Sequence, residues 1–134
     1  MLRPASFKLV SAVALLVLAF FMVAQAQTVA APKYDKSTEV KLKGVIEDVK
    51  TATDKTVHIT IKNDKGSFDV TVAPQKFLNE MEIIFAKGDT VEVLGSPHTV
   101  DGNSAMLARE VTRNGDVMVM RDERGKPVWL GWIT

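Results

Sequence analysis

His58 and His98 are the only histidines in the chain, and Asp69 is a carboxylate that folding could bring beside them. Two imidazoles and a carboxylate form a donor set for zinc or copper. The His58, Asp69 and His98 spacing follows no recognised ligand motif, so ordinary surface positions are the simpler reading. Met106, Met118 and Met120 pose the same choice, since thioethers select cuprous copper. Met118 and Met120 alternate to one side of a strand, however, and methionine commonly fills irregular cores. Neither a metal nor any other cofactor is expected. Ser67, Ser96 and Ser104 sit in no motif that would activate them, Glu47-Asp48 and Asp122-Glu123 diverge if they lie on strands, and no glycine-rich phosphate loop occurs. The expectation is a protein without catalytic activity.

Those residues need elements to hold them, and the first step is to decide which part of the chain folds. Arg3 and Lys8 precede an apolar run from Leu9 to Val23 that ends at Ala24-Gln25-Ala26. This is the layout of an export signal cleaved after Ala26. Its 15 residues, apolar apart from Ser11, fall short of the roughly 20 that span a bilayer. The expected location is periplasmic or secreted, with membrane contact limited to transit through the leader. Cleavage removes two basic residues and no acidic ones, so 17 Lys and Arg against 16 Asp and Glu become 15 against 16. No global field remains to attract nucleic acid or anionic lipid. Cysteine is absent, which excludes disulfides and thiolate chemistry.

The expected organisation is a signal peptide over 1–26, a flexible linker over 27–38 and one domain over 39–134. Val40, Leu42, Gly44 and Ile46 alternate with Lys41, Lys43, Val45 and Glu47, and Gly44 marks a bend after which the buried face can switch. Val57, Ile59 and Ile61 alternate with His58, Thr60 and Lys62. Asn63-Asp64-Lys65-Gly66 turns the chain into a third strand with Phe68, Val70 and Val72 inward. That hairpin pairs Lys62 with Ser67, Thr60 with Asp69 and His58 with Thr71. From Pro74, apolar residues at Phe77, Leu78, Met81, Ile84 and Phe85 predict a buried helix of about three turns. A fourth strand follows over Thr90–Leu94, a turn-rich loop over Ser96–Ser104, a fifth strand over Ala105–Arg113 and, after Asn114-Gly115, a sixth.

Three strands, a helix and two further strands is the order of an OB-fold, in which the barrel closes and the helix plugs one end. Gly44, the Lys87-Gly88-Asp89-Thr90-Val91-Glu92-Val93 segment and Ala108-Arg109-Glu110-Val111 resemble small exported bacterial OB-fold proteins over Val40 to Thr112. The fold class expected is mainly β, a five- to six-stranded OB-fold-like barrel. The resemblance implies a binding module that works through one face and carries no catalytic residues.

On such a barrel that face comprises His58, Thr60, Lys62, Ser67, Asp69 and Thr71, bordered by His98. Its ligand is expected to be a protein, an envelope polymer or a small molecule. An oligonucleotide is the second reading, disfavoured because the face has one lysine and no aromatic platform. A metal or cofactor carrier is the third. Trp129 and Trp132 close the chain, either as a tail packed over the barrel or as a docking element for a partner.

Overall fold

A computed structural model describes residues 32–131. The expected leader, the first part of the linker and Trp132 lie outside the described residues. The chain divides into two compact units, and the one described here begins at Pro32.

Strands β1 (Val40–Thr51), β2 (Thr56–Asn63) and β3 (Gly66–Pro74) are followed by helix α1 (Gln75–Glu80), then β4 (Thr90–Val100), β5 (Asn103–Arg113) and β6 (Asp116–Val119). The sheet runs β3-β2-β1-β4-β5-β6, and a parallel pairing of β3 with β5 closes the first five strands into a barrel. This is the OB-fold-like order the sequence implies. β6 lies outside the closure and, among the described residues, pairs only with β5.

Inside the barrel, Ile46, Val57, Ile59, Ile61, Val70, Val72, Val91, Val93 and Val111 are almost completely buried. Their alternation along the strands builds the core. Three of the strands carry a bulge: Val72 is the extra residue in β3, between the partners of Val57 and His58, and β1 and β5 switch face part-way. In β1 the pairing jumps between Ile46 and Asp48, so Glu47 bulges and Val49 turns toward the core. The switch follows Ile46 rather than Gly44, and Val45 is left exposed. In β5 the partners of Leu94 and Gly95 are Glu110 and Ala108. Arg109 is the extra residue, and the inward face passes from Met106 and Ala108 to Val111. Met120 is fully buried and Met118 packs against the core, in agreement with their reading as filler.

Helix α1 is shorter than the apolar spacing predicts. It ends at Glu80, burying Phe77 and Leu78 in the barrel end, and leaves Met81 and Ile84 outside at 50% and 77% exposure. The stop is built from backbone bonds. Glu82 N–H donates to the Asn79 carbonyl and Ile83 N–H to the Leu78 carbonyl, with Glu82 at φ 56°. These are the two bonds of a Schellman cap, whose left-handed position favours glycine. Glu82→Gly is therefore expected to stabilise the protein by about 0.5–1 kcal/mol, a rise of a few degrees in Tm. An unchanged or lower midpoint on calorimetry would contradict this account of the helix end.

The second departure lies at Ser96–Ser104. The expected loop is instead the upper half of a β4–β5 hairpin, paired from Gly95↔Ala108 to Val100↔Asn103. Asp101 and Gly102 make its two-residue turn with φ of 50° and 79°. Asp-Gly suits that turn as well as Asn114-Gly115 suits the next one. Pro97 is accommodated within the strand, opposite Met106.

Candidate functional site

The β2–β3 register is the expected one, with Lys62↔Ser67, Thr60↔Asp69 and His58↔Thr71. Its polar side forms a wall, but much of the wall is occupied with itself. His58 Nδ1 lies 3.2 Å from Asp69 Oδ1 and 3.4 Å from Thr71 Oγ1. Ser67 Oγ donates to Glu47 of β1, and Asn63 Nδ2 donates to the Lys43 carbonyl. Lys62 and Ser67 are exposed, whereas His58, Thr60, Asp69 and Thr71 are only partly so. A wall of this kind can offer hydrogen bonds at its rim and little depth.

His98 is not beside His58. It stands on β4 opposite Ala105, which in turn pairs with Asp69, so a strand separates the second histidine from the His58–Asp69 pair. At strand spacing this is about 10 Å across the sheet. Among the described residues, no three His, Asp or Glu side chains converge in a way that could hold a metal ion.

What His98 does line is a groove of about 500 Å³ at the barrel end away from the helix. Leu42 of β1, Phe68 of β3 and Met106 of β5 form an apolar floor, and Lys41, Lys65 and His98 bring the polar character. Three elements distant in sequence meet there: the start of β1, the tip of the β2–β3 hairpin and the upper β4–β5 hairpin. His98 Nδ1 is buried without a hydrogen-bond partner among the described residues. Leaving such an atom unpaired costs about 1–3 kcal/mol. Ala105, also in the lining, is shared with the register row of the wall, so groove and wall adjoin.

The chain on either side of the barrel is pinned against it. Pro32–Thr38, expected as tether, contains a 3-10 turn over Lys36–Thr38, and Asp35 N–H donates to Ser96 Oγ at the base of the β4–β5 hairpin. Tyr34 donates its hydroxyl to Glu39, which also receives Arg109 Nε. The Tyr34 ring lies under the Arg121 guanidinium at 5.4 Å, and Trp129 lies 5.8 Å from the same guanidinium. Trp129 also packs on Phe77 with ring centroids 5.6 Å apart. This tryptophan is a packed one. The Arg109–Glu39 and Arg121–Tyr34 contacts were not legible in the sequence, since each joins residues from opposite ends of the domain.

Burial and the neighbouring Glu39 carboxylate push the Tyr34 hydroxyl well above its ordinary value. Glu39 itself is raised by burial, but the hydrogen bonds from Tyr34 and Arg109 outweigh that and hold it low. Tyr34 is the only tyrosine, so tyrosinate absorbance reports it alone. The folded protein is expected to titrate above the usual value of about 10, and the urea-unfolded chain near it. Because the folded pKa is the higher one, stability is full below about pH 10 and falls as pH rises toward the folded value. Coincident titration curves for folded and unfolded chains would remove the Tyr34–Glu39 contact from the account.

Fold and site together define a small OB-fold-like barrel with one plugged end and one grooved end. The family comparison makes this more specific: the model of the MamS/MamX magnetosome protein family matches residues 38–118, and the chain belongs to that family. No curated protein sequence matches it significantly. Among solved structures it is similar to a chain described under "Structure and Conformational Change of a Replication Protein A Heterotrimer Bound to ssDNA", at 15% identity and a TM-score of 0.42. That match covers 65% of this chain and spans 61% of the other.

Proposed function

We propose that this protein is a non-catalytic binding module that acts outside the cytoplasm in magnetosome-associated assembly, and that it takes its ligand in the groove at the open barrel end. The family membership supports the setting, and the basic, apolar leader before Ala26 supports export. The observation that carries the site is the groove itself, an apolar floor of Leu42, Phe68 and Met106 beside Lys41, Lys65 and His98. Apolar concavities with a few convergent polar groups are the ordinary form of a ligand site. The hairpin wall, in contrast, spends its His58, Asp69, Thr71 and Ser67 groups on one another and on Glu47.

The apolar dye anilinonaphthalene sulfonate tests the site. Its fluorescence is expected to rise with the native protein, to be lost in Ser104→Trp, which fills the exposed rim, and to persist in Lys62→Ala on the wall. Equal enhancement in native protein and Ser104→Trp would overturn the groove as the site. Export is checked by the mass of the chain recovered from the periplasm or medium, expected to begin at Gln27.

A further inference from the structure

The β1–β2 ladder begins only at Val45↔Lys62, while β1 pairs with β4 from Val40 onward. Among the described residues, the start of β1 therefore has one edge without a strand. Which groups face that edge follows from the ladder. Ile46 exchanges hydrogen bonds with the β4 side, donating to Asp89 and accepting from Gly88, so the even-numbered residues of this stretch face β4 and the odd-numbered ones face away. Lys43 fits the rule, because its carbonyl is taken by the Asn63 side chain. Lys41 is next along, and its N–H and C=O face the groove with no strand opposite.

The groove thus offers a row of backbone groups as well as an apolar floor, and its charge has one sign. Lys41, Lys65 and His98 are the titratable side chains that line it, with no acid among the lining residues. Lys41 leans on Glu92 at 4.0 Å, whereas Lys65 makes no ion pair among the described residues. His98 lines the same cleft.

Resting on the groove as the binding site, we infer that its occupant is an extended polypeptide segment from a partner protein, in which apolar residues alternate with an acidic one. Its backbone adds to β1 at Lys41, an apolar side chain enters over Leu42, Phe68 and Met106, and the carboxylate lies toward Lys65 and His98. Strand addition of this kind draws affinity from main-chain hydrogen bonds and specificity from pockets for alternate side chains. An acyl chain or other amphiphile fills the floor equally well but cannot use the Lys41 backbone.

The test is titration calorimetry with acetyl-Thr-Val-Asp-Val-Thr-amide. Two further versions of the peptide are N-methylated on alternate amides, one has lysine for aspartate, and laurate serves as the amphiphile. The parent peptide is expected to bind and to displace anilinonaphthalene sulfonate. One N-methylated set loses about tenfold or more and the other retains affinity, since alternate amides face the ladder. The lysine peptide is expected to bind about tenfold more weakly to the native protein and to be preferred by Lys65→Glu. Equal affinity of both N-methylated sets overturns strand addition, and an unchanged preference in Lys65→Glu overturns the acidic contact. If laurate displaces the dye and the peptide does not, the peptide inference falls while the groove stands. If neither displaces it, both fall.

Discussion

Gly44→Ala is expected to cost about 3 kcal/mol or more, lowering Tm by roughly 12–24 °C for a domain of this size. A Cβ built at Gly44 would lie 2.5 Å from the Lys62 carbonyl oxygen and 2.6 Å from Ile61 Cγ2. The first of these is backbone, in the strand that begins its ladder with the very next residue, Val45↔Lys62. It cannot move without opening the barrel. Two effects compete, because alanine in a strand gains roughly 0.5–1 kcal/mol over glycine from chain entropy. An approach that close outweighs the gain. Gly66, whose added Cβ meets nothing within 4 Å but which sits at φ 134°, is the instructive contrast, since a substitution there strains the turn and leaves the core contacts intact. Thermal melts of Gly44→Ala within a few degrees of the native protein would mean that β1 and β2 do not cross as closely as described.

Phe77→Ala is the second large effect, expected at about 3–5 kcal/mol. Phe77 is 1% exposed at the plugged end of the barrel and carries the contact with Trp129. Its removal empties the plug and takes away half of that aromatic pair. Trp129→Ala should cost less, because Trp129 is only partly buried. In a double-mutant cycle the two should couple by about 0.5–1.5 kcal/mol, the value of an aromatic pair beyond its buried area. A coupling near zero, measured by denaturant unfolding, would mean that the tail rests on the barrel without engaging the plug. A truncation after Asp122 should act in the same direction, since it removes Val128 and Trp129 from the core and the Gly125 backbone from against the Tyr34 ring.

How far the sequence could be read depended on the range of the interactions involved. The β2–β3 register was legible from the turn back to His58↔Thr71 because Asn63–Gly66 fixes it locally and Ile59, Ile61, Phe68 and Val70 share one face, whereas the bulge at Val72, which sets Val57 against Ala73, was not. The order of elements was legible for the same reason. The helix was overextended because Met81, Ile84 and Phe85 keep a helical period. What stops it is a backbone cap on Glu82, a residue whose type gives no warning. The β4–β5 hairpin was hidden by Gly95 and Pro97, which usually break strands. Gly95 in fact sits at a bulge where the Leu107 carbonyl would lie 2.3 Å from any Cβ. The Asp101-Gly102 signal was present and carried the turn.

The candidate site was legible in part. His98 was singled out, though on an expected loop rather than a hairpin, and His58, Thr60, Lys62, Ser67, Asp69 and Thr71 share a face as expected. The groove was not legible. Leu42, Phe68 and Met106 each read as ordinary inward residues, and only closure of β3 on β5 shows that the barrel is deep at one end and unplugged there. The free β1 edge was invisible for a related reason, since it depends on where the β2 ladder starts and not on any residue type.

The account stands or falls on where a ligand sits, and amide chemical-shift mapping of the purified protein with anilinonaphthalene sulfonate locates that directly. The expected result is perturbation centred on Lys41, Leu42, Phe68, His98, Ala105 and Met106. Perturbation centred on His58, Thr60, Asp69 and Thr71, with the first set unmoved, would contradict it.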